Sequence, residues 1–121
     1  MHGLVCLDKD GEVLRPCIMW NDQRTADQCR EMTARIGDDD VIAITGNPIL
    51  PGFTAPKLRW IEENEPEVYS RIDKILLPKD YIRYKLSGEF FTDVSDASGT
   101  SLLDVQQRRW AHYILNEFKW P

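Results

Sequence analysis

The sequence predicts a mixed α/β or α+β segment, and three observations carry that class. Short apolar runs of strand type, Gly3–Leu7 near the start and Lys74–Leu77 past the middle, stand apart from helical patterns. Asp10-Gly11 supplies a tight turn between the first run and a second, Val13–Trp20. Between and after these runs, capping residues, glycine stops and prolines punctuate stretches of helical period. Strands alternating with helices give the mixed class.

Taken in order, the hairpin comes first. Asp8, Asp10 and Glu12 crowd carboxylates into its turn, but their spacing is too short for a twelve-residue calcium loop, so a solvated turn is expected. Asn21 or Asp22 is expected to cap a helix from about Gln23 to Ile36, with Ala26, Cys29, Thr33 and Ile36 on its inner face and Gly37 as its stop. Asp38-Asp39-Asp40 reads as the start of a short element rather than a metal site, and Val41–Ile44 leads from it into the turn-rich Thr45-Gly46-Asn47-Pro48. Glycine and proline then crowd Ile49–Phe53, which places that backbone rigidly against whatever lies opposite.

Thr54 is the expected N-cap of the next helix, which tolerates Pro56 in its first turn and turns Leu58 and Ile61 inward. Pro66 restarts a helix carrying Val68, Tyr69 and Ile72; Pro78-Lys79-Asp80 opens another that ends at Ser87-Gly88. Glu89–Asp93 reads as extended, Ser95–Thr100 as a polar loop, and Trp110–Lys119 as weakly helical. Asp93 and Asp96 are expected to cap turns in that loop, since acid–base work needs a convergence their spacing does not show.

Composition bounds the function. At 121 residues and 42% hydrophobic, the chain suits one core, burying about two-thirds of its unfolded surface. A net charge of -5 gives no general attraction to nucleic acid or anionic lipid. No apolar run approaches the ~20 residues of a spanning helix and no leader pattern opens the chain, so the cytoplasm is the expected compartment. Cys6, Cys17 and Cys29 are odd in number and include no CxxC pair, which argues against a disulfide framework or zinc and for buried thiols. There is no glycine-rich phosphate loop and no serine elbow, and no catalytic, metal-binding or cofactor-binding residue is assigned.

One stretch carries more. Gly52-Phe53-Thr54-Ala55-Pro56-Lys57-Leu58-Arg59-Trp60-Ile61-Glu62-Glu63-Asn64 resembles the first signature of the FGGY carbohydrate kinases: glycine, Thr two positions on, then Lys, an apolar residue, Trp, an apolar residue and a polar pair. Met1-His2-Gly3, Trp20–Arg24, Thr45–Pro48, Leu76–Tyr81 and Thr92–Thr100 resemble, in order, the bacterial xylulokinase branch of that family.

The resemblance implies an actin-like ATPase fold of the ribonuclease-H type, in which two domains close over a cleft and the γ-phosphate of MgATP passes to the 5-hydroxyl of D-xylulose. It implies that Met1 and His2 line the sugar site and that Gly52 faces the sugar. Physically, an imidazole both donates to and accepts from sugar hydroxyls, and a glycine is expected to leave room for the pentose. For Lys57 a structural or rim role is expected ahead of a phosphate contact.

The resemblance also implies that residues 1–121 are a partial N-terminal, sugar-binding domain. The phosphate-contacting hairpin of relatives and their catalytic aspartate have no counterpart here, so the chain alone is expected to be inactive and to self-associate through an unpaired sheet edge. The other reading kept open is a stand-alone, non-catalytic sugar-sensing or protein-interaction module.

Overall fold

The computed structural model describes residues 1–121, and its strands are fewer and shorter than the apolar runs suggest. β1 (Val5–Leu7) pairs antiparallel with β2 (Lys74–Leu76), Val5 opposite Leu76 and Leu7 opposite Lys74. The expected hairpin turn is present, with Gly11 at φ +78° and the Asp8 carboxylate accepting the Asp10 and Glu12 amides at 2.8 and 3.0 Å. Those amides hold the Asp8 carboxyl below the usual range, the Glu12 bond contributing most. The returning arm forms no strand: only isolated bridges join Leu7 to Val13 and Leu4 to Ile18. Pro16 lies between them and has no N–H for a ladder. All strand pairing is antiparallel, which places the fold on the α+β side.

α1 spans Ala26–Ile36, later than the expected start at Gln23. Asp22 spends its carboxylate on the Arg24 amide and guanidinium, so the helix opens after Thr25, whose carbonyl accepts the Cys29 amide. The buried face is Gln28, Cys29, Met32 and Ile36, rotated from the expected face, and Ala26 is exposed. Gly37 ends α1 at φ +100°. Asp38 then starts α2 (Asp38–Thr45), a full helix of which the sequence showed only the beginning; its three first-turn aspartates suit the helix dipole.

α3 (Thr54–Asn64) and α4 (Pro66–Tyr69) follow, then α5 (Pro78–Ser87), closed by Gly88 at φ +75°. No strand forms over 89–93. The expected loop at 95–100 is instead helical: α6 (Val94–Ala97) and a 3₁₀ turn (Ser98–Thr100), with Asp93 accepting the Asp96 amide at 2.9 Å. β3 (Leu103–Asp104) pairs with β4 (Arg109–Trp110), and α7 (His112–Glu117) closes the chain.

The main core gathers Leu4, Cys6, Met32, Val41, Ile61 and Ile114 among others, so the first strand, α1, α2, α3 and α7 share one interior. Cys6 and Cys29 lie in it as small hydrophobes, and burial pushes the Cys6 thiol up to about 12. Arg59 ties α3 to Glu31 on α1 at 3.2 Å, and Arg35 on α1 reaches Glu117 on α7 at 3.0 Å. This packing fixes where the start of α3 stands, and the start of α3 carries the site.

Candidate functional site

Lys57 lies one turn into α3 with none of its surface exposed. Its ammonium donates to three backbone carbonyls: Gly52 at 2.6 Å, Phe53 at 2.9 Å and His2 at 3.1 Å. Three donors meet three acceptors, which is full satisfaction for an ammonium. The structural role expected of Lys57 is therefore what the geometry shows. Burial lowers its pKa from 10.5 to about 8, with Cys17, Asp22 and Cys29 opposing.

Thr54 does not cap its helix; Phe53 holds the N-cap position, and the Thr54 hydroxyl donates to the His2 carbonyl at 3.1 Å. The signature helix thus grips residue 2 with two side chains. His2 and Gly52, far apart in sequence, are brought together through their carbonyls. Met1 beside them is 72% exposed.

The His2 ring meets Phe53 edge-on, with centroids 5.6 Å apart and planes at 85°. On another side it covers Gly99 so closely that a Cβ there would stand 2.1 Å from Nε2. Burial lowers the His2 pKa below 6.5; Asp96 opposes this, and the N-terminus, Lys57 and Lys79 reinforce it. The imidazole is accordingly neutral near pH 7, one nitrogen a donor and the other an acceptor.

Gly52 has a packing reason as well. A Cβ there would stand 3.0 Å from the Trp20 carbonyl oxygen, so the loop packs backbone to backbone and glycine is what permits it. The room it leaves is taken by Trp20. Gly3 is similarly hemmed, by Cys17 Sγ and Pro78 Cγ at 3.0 Å each.

Sequence reasoning missed a second hub. Lys79 pairs with Asp80, with Asp93 at 2.9 Å and with Asp96 at 3.4 Å, joining the start of α5 to the start of α6. Asp80 is buried, while 41% of the Lys79 side chain is exposed. Partial burial works against the Lys79 charge, but hydrogen bonds to Asp80 and Asp93 outweigh it and raise the pKa. The same bond holds the Asp93 carboxyl below the usual carboxylate range. The two aspartates are thus occupied, Asp93 as the cap expected of it and both as lysine partners. Gly99 in the same turn was also missed; a glycine inside a polar run was its one visible signal.

The donor set does not fit MgATP. No group of three or more His, Cys, Asp or Glu could hold a metal, and both ammonium groups near His2 are committed elsewhere. What the arrangement offers is a neutral imidazole on a rigid floor beside a rigid loop, which suits recognition of hydroxyls rather than phosphate.

Comparison with known proteins shows the family. The model of the FGGY family of carbohydrate kinases, N-terminal domain, matches residues 1–121. The chain belongs to the FGGY carbohydrate kinases. Among FGGY relatives, the xylulose kinase of Escherichia coli K12 is 52% identical over 115 residues, 95% of this chain and 23% of that protein. A solved kinase from Brucella ovis, described as a xyloylose kinase, superposes with a TM-score of 0.92 at 49% identity, covering 99% of this chain and 24% of that one. The xylulose kinase of Rhodospirillum rubrum superposes at 0.94 with 31% identity, covering 100% and 25%. The chain spans about a quarter of the length of the FGGY relatives it matches.

Proposed function

We propose that residues 1–121 form part of the sugar-binding N-terminal domain of an ATP-dependent kinase that phosphorylates D-xylulose at its 5-hydroxyl, giving xylulose 5-phosphate. The observation that supports it is the convergence of His2, Gly52 and the start of α3 on one ammonium, in a chain 52% identical to a xylulose kinase. In this reading His2 offers the sugar one donor and one acceptor. Met1 supplies an exposed apolar flank, and the Gly52 loop lines the site through its backbone. In this reading MgATP is held, and the proton of the 5-hydroxyl taken, by groups other than those of residues 1–121. On the same reading the compartment is the cytoplasm, and a net charge of -5 gives nucleic acid and anionic membrane surfaces no part.

A hybrid tests this. The matched segment of the E. coli xylulose kinase is replaced by residues 1–121 and assayed for D-xylulose-dependent ADP release. The expected outcome is an active hybrid in which His2→Ala lowers kcat/KM about 10- to 100-fold, the cost of a lost polar partner of roughly 1–3 kcal/mol. An active hybrid indifferent to His2→Ala removes His2 from the site.

The chain by itself is proposed to self-associate with a second copy. Phe91 and Trp110 are 53% and 45% exposed and line, with Phe90, Leu76 and Leu102, an apolar cavity of about 370 Å³. Light scattering that shows only monomer at high concentration would remove this.

A further inference from the structure

We propose that Lys57 is the positioning residue of the sugar site: its charged ammonium is the shared anchor that holds the His2 segment and the Gly52-Phe53 loop in register. The inference rests on the sugar-site reading above. Four features of the geometry carry it.

First, the three acceptors are all backbone carbonyls, so Lys57 is not a salt-bridge lysine. It holds chain segments, and the two it joins to α3 are those proposed to face the sugar. Second, the acceptors depend on it unequally. The His2 carbonyl has a second side-chain donor in the Thr54 hydroxyl, whereas Lys57 is the one side chain that donates to those of Gly52 and Phe53. Third, the donor is buried: Lys57 has none of its surface exposed and Thr54 beside it almost none, while the three segments it holds are half-buried, so the ammonium is committed to these carbonyls rather than to solvent. Fourth, the anchor is complete only when charged. An ammonium has three donors, whereas a neutral amine has two and turns a lone pair toward the third carbonyl.

The groups facing Lys57 come from three segments. They are Cys17 on the returning arm of the hairpin, Asp22 ahead of α1 and Cys29 on α1. Asp22 is the one charged at neutral pH and is itself held by Arg24; burial raises both thiols. No carboxylate therefore locks the proton on, and burial brings its loss down to about pH 8. Above that, the Gly52-Phe53 loop loses its fixed relation to His2, while Thr54 retains residue 2.

The test is a pH titration of the isotopically labelled 121-residue chain by carbon-detected NMR. It follows Lys57 Cε and the carbonyl carbons of His2, Gly52 and Phe53 from pH 6 to 11. The expected result is one step: the Gly52 and Phe53 carbonyls move with Lys57 Cε at a common midpoint below 10.5, His2 moves less, and the step is lost in Lys57→Met. Carbonyls that stay still while Lys57 titrates, or that move at another midpoint, overturn the proposal. Should Lys57→Met fail to fold, co-titration in the wild-type chain decides alone. In the active hybrid kinase, the KM for D-xylulose rises several-fold through the same midpoint and the KM for MgATP does not. A parallel rise in both contradicts positioning. An inactive hybrid counts against the sugar-site reading only, because the carbonyl titration needs no sugar.

Discussion

Two lysines stand on either side of His2 and show how differently one side chain can be used. Lys57 is buried and surrounded by carbonyls; Lys79 is partly exposed and surrounded by carboxylates. At Lys57 desolvation prevails and the pKa falls to about 8, whereas at Lys79 ionic hydrogen bonds prevail and the pKa rises. The first builds the site by fixing backbone. The second fixes the turn that carries Gly99, the floor under the imidazole, and does so from a surface where water competes.

The contrast is sharpest in stability. Lys57→Met keeps volume but removes the side-chain donor of the half-buried Gly52 and Phe53 carbonyls, so a loss of about 2 kcal/mol is expected by urea denaturation at pH 7. That gap should widen with pH. A lysine whose folded pKa is depressed binds fewer protons folded than unfolded between pH 8 and 10.5, so its contribution to stability rises across that window. The rise is at most roughly 3 kcal/mol, even as the local anchor loses a donor. The raised thiols of Cys6, Cys17 and Cys29 act in the opposite sense above their ordinary pKa of 9.0, and Cys17 and Cys29 themselves feel the Lys57 charge, so the widening is read between pH 8 and 9, below the thiol range. A gap that narrows with pH would mean the carbonyls overcome burial.

Next in size is the floor. Gly99→Ala places a Cβ against the His2 ring, which can swing away because it is the end of a side chain. Stability is expected to change by less than about 1 kcal/mol, while the hybrid kinase loses about 10-fold in kcat/KM for D-xylulose, or roughly 1.4 kcal/mol. Equal loss in stability would mark Gly99 as packing only.

The smallest effect belongs to the exposed pairs of Lys79 with Asp93 and Asp96, because exposed ion pairs are screened and entropically costly; Lys79→Met as a whole costs more than those pairs, since it also strips the buried Asp80 carboxylate of its lysine. Its signature is in acid. With its folded pKa depressed, Asp93 supports stability above the ordinary carboxylate range and loses that support as pH falls through its folded value. Lys79→Met should flatten this acid limb and leave the rise between pH 8 and 10.5 unchanged, its own raised pKa acting only above that window; a change within the window would erase the distinction between the hubs.

The sequence made the two hubs unequally legible. The signature helix, the Gly11 turn, the Pro66 and Pro78 starts and the Gly88 stop were readable because each is a local preference of one residue type. The helix α2 was half hidden, since Val41-Ile42-Ala43-Ile44 has the look of a strand and becomes helical through its cap and packing. Residues 95–100 looked like loop because serine and glycine disfavour helices, yet the Asp93 cap starts one. The partners of Lys57 were invisible in principle, because backbone carbonyls carry no letter. Those of Lys79 were visible as aspartates, with nothing in their spacing to bring Asp93 and Asp96 to residue 79. Gly52 was identified, but its packing role was not legible, as only the folded chain shows the Trp20 carbonyl against it.

The central proposal is that this chain contributes sugar recognition to a phosphotransferase and no phosphate chemistry of its own. Release of ADP from MgATP in the presence of D-xylulose, measured side by side for the hybrid kinase and the 121-residue chain, addresses it most directly. Turnover by the hybrid and none by the chain is the expected result; D-xylulose-dependent turnover by the chain alone would contradict it.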